Sequence, residues 1–168
     1  MKNIFYSICF LTIIISVESC STKSNMVMYE GVNLTNYKFI VFNDSIKFDS
    51  IENDLHVAFF PFVYWKKNKH EPLPIRVKNE ITKYFKEVNI NEASEYADNG
   101  ELVLSPDIKT KVEFYFGGYT YITVSFFDYH TNKLIAEINS RGVGSTSTAS
   151  DKIYALKGIR RELAKLFK

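Results

Sequence analysis

An uninterrupted apolar run over residues 4–17, preceded by Lys2 and closed by Val17-Glu18-Ser19-Cys20, decides how much of this chain is available to fold. At about 14 residues it fits the roughly 7 to 15 of a secretory signal and falls short of the ~20 that a bilayer-spanning helix needs. Residues 1–19 are therefore expected to be cleaved as a signal peptide. Their removal from the 168 residues leaves 149, a length suited to one domain. Cys9 leaves with them, so Cys20 remains as the one cysteine, and neither a disulfide framework nor a thiol nucleophile is expected even in an oxidising compartment. Stability must come from an ordinary core, for which 14 Phe and 11 Tyr supply much of the apolar area. Losing Lys2 and Glu18 keeps the net charge at +2, too weak a basic balance to point to nucleic acid.

An aliphatic residue three before Cys20, a small residue directly before it and polar residues after it resemble the lipobox of bacterial lipoproteins. That resemblance implies that the Cys20 thiol is acylated and becomes the new amino terminus. Glu18 departs from the pattern, at its loosest position. One acyl chain binds a bilayer only marginally, whereas two or three hold a protein there in effect permanently. No other apolar run approaches ~18 residues, so the expected product is a soluble body anchored to a membrane through Cys20 without spanning it. Residues 20–36 are polar and without a sustained period, and read as a flexible tether with an end-to-end distance of roughly 20 to 25 Å. Met26-Val27-Met28-Tyr29 has an alternative reading as a short edge strand.

The expected domain spans residues 37–168. Residues 37–43 are aromatic and β-branched and end on Asn-Asp, which predicts a first strand. A second strand is expected over 55–60, with 62–65 leading out of it beyond Pro61. Pro72 and Pro74 bracket a helix start, and Val77, Ile81, Tyr84, Phe85 and Val88 keep helical spacing, which predicts an amphipathic helix over 74–87. After a polar connection, extended segments at 101–104 and 111–116 are separated by Ser105-Pro106-Asp107. Strict alternation over 119–128 and a reversal at His130-Thr131-Asn132 into 133–139 complete an antiparallel meander. A closing helix capped by Ser150 carries Ile153, Leu156, Ile159, Leu163 and Leu166 on one stripe. These elements predict an α+β two-layer sandwich: a mainly antiparallel sheet of four to five strands with two amphipathic helices on one face.

Chemistry is scarce in the sequence. His56, His70 and His130 lie in three segments without metal-ligand spacing, so no metal site is expected. The loop over 142–149 is rich in Gly, Ser and Thr and precedes a helix, but lacks the Gly-Lys-Ser/Thr of a P-loop, a dinucleotide fingerprint and a nucleophile elbow. No catalytic residue and no cofactor is expected. The strongest local charge is Lys66-Lys67-Asn68-Lys69 behind Trp65. Trp65, Lys66, Lys67 and Lys69 are a candidate contact patch for an anionic glycan, a lipid headgroup or an acidic partner.

Cys20, the pair Tyr37-Lys38, the hairpin closing on Thr131-Asn132-Lys133-Leu134 and the small-residue loop before the last helix together resemble uncharacterised lipoprotein families of Gram-negative bacteria, especially Bacteroidota. The resemblance implies a periplasmic domain and transfers no catalytic residue. Ser21 behind the cysteine looks like an outer-membrane signal, and Ser21-Thr22-Lys23-Ser24 lacks the acidic tract associated with surface export, which favours the periplasmic leaflet. The expected role is a non-catalytic interaction or assembly module of the envelope with a protein or glycan partner. The competing expectation is a periplasmic ligand carrier or an envelope enzyme with an unrecognised site.

Overall fold

The computed structural model describes residues 21–29, 31–43, 53–59, 62–67, 71–113, 118–144 and 147–168, with backbone alone for 53–59 and 62–67. Its elements in chain order are β1 (Ser21–Met28), a 3-10 turn (Leu34–Asn36), β2 (Phe39–Ile40), β3 (Asn53–Phe59), β4 (Phe62–Lys67), α1 (Leu73–Ile81), β5 (Lys86–Glu87), α2 (Ile90–Asp98), β6 (Val103–Glu113), β7 (Tyr119–Asp128), β8 (Leu134–Val143) and α3 (Thr148–Leu166). The fold is α+β. One sheet of six strands has the order β1-β8-β7-β6-β2-β5, and β3 with β4 forms a separate hairpin. The β1, β8, β7 and β6 pairings are antiparallel, while β2 runs parallel to both β6 and β5. The sheet is thus larger than expected and mixed.

Within residues 20–36, expected as a flexible tether with 26–29 as an alternative edge strand, Ser21–Met28 forms β1. Ser21 pairs with Val143 and the register runs unbroken to Met28 opposite Ala136. Sequence alternation hides this strand because its inward positions, Thr22 and Ser24, meet α3 through hydroxyl groups. Thr22 Oγ1 donates to the carbonyl of Tyr154 at 3.0 Å and Ser24 Oγ to Glu162 Oε1 at 2.5 Å. The interval expected as two segments around Pro106 is the single strand β6. Pro106 is tolerated because, among the described residues, β2 pairs only with Val103 and Leu104 and β6 has no partner on that side from Ser105 onward.

The helix expected over 74–87 ends at Ile81. Beyond it the Lys86 and Val88 amides donate to the carbonyls of Lys38 and Ile40, making β5 a sheet edge. Phe85 and Val88, which share helical spacing, pack on opposite sides of the sheet in two different clusters. The polar connection after it contains a third helix, α2, started by a capping box in which Asn89 and Glu92 satisfy each other's backbone amides. The last helix is capped by Ser147 rather than Ser150: the Ser147 side chain accepts from the Ser150 amide at 3.2 Å.

Alternation along the strands distributes the apolar residues. Ile40, Leu104, Ile122, Val124, Phe126 and Ile138 face α1 and α3 and are closed over by Val77, Ile81, Leu156, Ile159 and Leu163. Val41, Val88 and Val103 face the other way, under Ala93 of α2, where Phe39 stacks on Tyr96 with ring centroids 4.2 Å apart. Two helices therefore cover one face as expected, while α2 covers the opposite face at the β6-β2-β5 end. Among the described residues no helix covers that opposite face over β1, β8 and β7.

Candidate functional site

Cys20, the expected lipidation site, lies outside the described residues. Its neighbour Ser21 is the first residue of β1, at the end of the sheet where Ser21, Val143, Tyr119 and Glu113 stand in one register row. Trp65, Lys66 and Lys67 belong to β4, where Trp65 pairs with Leu55 and Lys66 with Asp54. Their side chains and all of Lys69 lie outside the described residues, as does His70. His130 is exposed in the β7–β8 turn. Among the described residues no group of three or more His, Cys, Asp and Glu could hold a metal ion, and no helix is long and apolar enough to cross a membrane.

The uncovered sheet face is polar. Register places Lys23, Arg141, Tyr121 and Lys111 in one row and Asn25, Asn139, Thr123 and Lys109 in the next. Thr123 Oγ1 donates to Asn139 Oδ1 at 2.8 Å, Asn139 Nδ2 to Glu137 Oε1 at 2.7 Å, and Ser125 Oγ to Glu137 Oε2 at 3.2 Å. These bonds hold the side chains in fixed rotamers across two strands, so the face presents an ordered polar surface.

At the end of this face where β1 starts, Ser21, Lys23, Tyr119, Arg141 and Val143 line an open pocket of about 160 Å³. The Arg141 guanidinium lies 4.0 Å from the Tyr119 ring centroid and 5.9 Å from that of Tyr121. Its Nε is buried and has no hydrogen-bond partner among the described residues. Glu113 is the nearby carboxylate. It is held by Lys111 at 2.6 Å, and the Lys111 hydrogen bond and charge, with help from Tyr121 and Arg141, keep its pKa low. Sequence reading found Tyr119 and Tyr121 on one face but not Arg141 or Lys23, which only the strand register brings to them.

A second concavity, a cleft of about 910 Å³, opens beside α1 and the start of α2 and is lined by Phe42, Ile75, Lys78, Glu87, Val88 and Ile90 among others. Lys78 is engaged there, paired with Glu87 at 2.5 Å and set 4.8 Å from the Phe42 ring centroid. The buried pair Tyr37 and Asp128 is structural. Tyr37 Oη donates to Asp128 Oδ2 at 3.0 Å, and Asp128 Oδ1 accepts from the Thr131 amide and hydroxyl, each at 2.7 Å. Burial first, then the Asp128 hydrogen bond and charge, push the Tyr37 pKa up to about 12. Burial works against the Asp128 carboxylate, but hydrogen bonds from Thr131 and Tyr37 outweigh it and lower its pKa. Both groups stay in their ordinary charge states at neutral pH, so the pair latches the 3-10 turn to the β7–β8 hairpin and offers no proton to transfer.

No protein-family model and no curated protein sequence matches the chain. Among solved structures, the fold is similar to a single-residue variant of PelC, a dodecamer from Paraburkholderia phytofirmans, at 11% identity and TM-score 0.44, covering 86% of this chain and 98% of that one. The PelC dodecamer from the same organism is similar at 8% identity and TM-score 0.41, covering 87% and 97%. Both likenesses are too distant to assign fold or function.

Proposed function

We propose that this chain is a lipid-anchored envelope lipoprotein, held through acylated Cys20 on the periplasmic side of the outer membrane, and that it works as a non-catalytic interaction or assembly module. The observation that carries the reading is the position of β1. Because Ser21 is already paired with Val143, an acyl group on Cys20 leaves no spacer, and the sheet stands directly on the lipid. The ordered polar face of β1, β8 and β7, free of helices among the described residues, then supplies a surface for a protein or glycan partner. The anchor is tested by Cys20→Ala, which should abolish radiolabelled-lipid incorporation and move the protein to the soluble fraction. Retention of a properly cleaved mutant in the membrane sinks this reading. Crosslinking and co-purification test the module, and a chain that stays monomeric with no enriched partner counts against it.

The competing reading, a periplasmic ligand carrier, is favoured by one observation, the cleft at Phe42 and Lys78. Its size falls within the range of small-molecule sites and it combines apolar walls with a charged pair. Opening the Lys78–Glu87 pair with Lys78→Met should alter retention of any co-purifying small molecule. Native mass spectrometry showing an empty chain from both proteins removes the carrier reading.

A further inference from the structure

We propose that the pocket formed by Lys23, Tyr119 and Arg141 takes the phosphate of a phospholipid headgroup in the membrane that holds Cys20. The proposal rests on the anchor reading above and adds a second, polar attachment that fixes how the domain stands on the bilayer.

Distance is the first support. Lys23 follows Cys20 by three residues in the sequence, so the chain alone limits their separation to at most about 11 Å, and Arg141 is the register partner of Lys23. The polar headgroup layer is itself about 5 to 8 Å deep on each side of the hydrocarbon. Side chains of this length bridge the difference, and with no spacer before β1 the row cannot drift away from the surface. The second support is chemical. Arg141 is stacked on Tyr119 and keeps a buried Nε–H that no described group accepts. Nε itself is closed off, so a phosphate in the pocket would be met by the terminal amino groups of the guanidinium, whose fork suits phosphate better than an ammonium does. Charge is the third. Among the described residues, the ionisable groups on the open face at this end are Lys23, Arg141, Lys111 and Glu113, with buried Asp151 behind them on the helix side bonded to the Gly144 amide, and Glu113 is already engaged by Lys111 and Tyr121. The row is left cationic toward the lipid. Tyrosine beside such cations is at home at the level of the headgroups.

The test uses the acylated chain in two environments: a maltoside detergent micelle, which contains no phosphate, and a phosphatidylglycerol nanodisc. The readout is the ¹⁵N-resolved Arg141 Nε–H resonance, assigned by its loss in Arg141→Lys. In the nanodisc it should move downfield, and Lys23→Gln should weaken the interaction by about fivefold. Inorganic phosphate added to the micelle should not reproduce the shift. An equal shift there makes the pocket a free-phosphate site and overturns the headgroup assignment. An unmoved resonance in the nanodisc, with Cys20 acylation confirmed by mass, overturns the pocket and leaves the anchor standing. An unacylated Cys20 overturns both together.

Discussion

Gly142 and Gly158 mark where α3 comes closest to the sheet. A Cβ on Gly142 would collide with the backbone of Asp151 and Ala155, and one on Gly158 with the Ser140 hydroxyl and the Ser24 side chain. The same contact is sealed by Ser140 Oγ donating to the Ala155 carbonyl at 2.6 Å. Backbone cannot yield as a hydroxyl can, so Gly142→Ala should cost about 2 to 3 kcal/mol through overpacking. Gly158→Ala regains helix propensity and should cost only about 1 kcal/mol or less. Urea denaturation of the two variants gives the comparison, and the opposite order would mean that the seam is not the tight contact described. Beside it, Glu162 is 4% exposed and accepts from Ser24 and Lys165, the latter at 2.8 Å. Burial opposes its charge, but Lys165, Ser24 and the Arg161 charge together lower its pKa, as Arg160 and Lys83 do for buried Glu80. A carboxylate lowered on folding adds stability above its ordinary pKa of 4.5 and loses it as pH falls through the lower folded value. Stability should therefore drop on acidification below about pH 4.5, and Glu162→Gln should flatten part of that drop. At neutral pH the same change should cost about 1 kcal/mol, because the freed Arg161 and Lys165 are well exposed and return to water. An acid profile unchanged by Glu162→Gln would show that the carboxylate is not held as described.

Helix α3 separates what helical spacing predicts well from what it does not. Leu156, Ile159 and Leu163 are buried as expected, whereas Ile153, placed on the same stripe, is 38% exposed. The stripe is interrupted because α3 lies on Gly142 and Ser140 rather than on large side chains, so Ala155 and Gly158 form the contact. Leu156→Ala should cost about 2 to 5 kcal/mol and Ile153→Ala less than about 1 kcal/mol by chemical denaturation. Equal losses would overturn the face assignment. The β7–β8 hairpin was legible because alternation with one buried side gives a period of two. Three elements were not. β1 was visible only as an alternative strand at 26–29, because its inward positions before Met26 are the partly buried hydroxyls of Thr22 and Ser24 and no sustained apolar alternation marks it. α2 buries Ala93 while Ile90 is exposed, and its only strong local signal is the Asn89-to-Glu92 capping box. The end of α1 is set by two hydrogen bonds to a distant strand, which no local pattern contains.

For the whole molecule, the two faces of the sheet carry different obligations. One is packed under α1 and α3, and the other is packed only beneath α2, leaving a mainly polar stretch over β1, β8, β7 and β6 in which Val27 and Val143 are apolar exceptions. The residues of that stretch were in plain view in the sequence, but their assembly was not. Lys23, Tyr121, Arg141 and Lys111 are far apart in the chain and meet only through three antiparallel registers. The contact patch sought at Trp65 came from local composition, the one kind of clustering a sequence displays directly. If the proposed module works through its open face, substitutions there should separate binding from folding. Asn25 and Lys109 are exposed or partly exposed strand positions flanking the hydrogen-bonded ladder of Thr123 and Asn139. Asn25→Arg and Lys109→Glu should each leave stability within about 0.5 kcal/mol. Together they should sharply reduce the crosslinked partner recovered from envelope preparations, while membrane fractionation through Cys20 stays unchanged. A matched change on the helix side, such as Ile138→Ala, should instead cost about 2 to 5 kcal/mol and lower partner recovery only as far as it lowers the folded population. Full recovery with both open-face changes in place would remove this face as the interaction surface and direct attention to the cleft at Phe42.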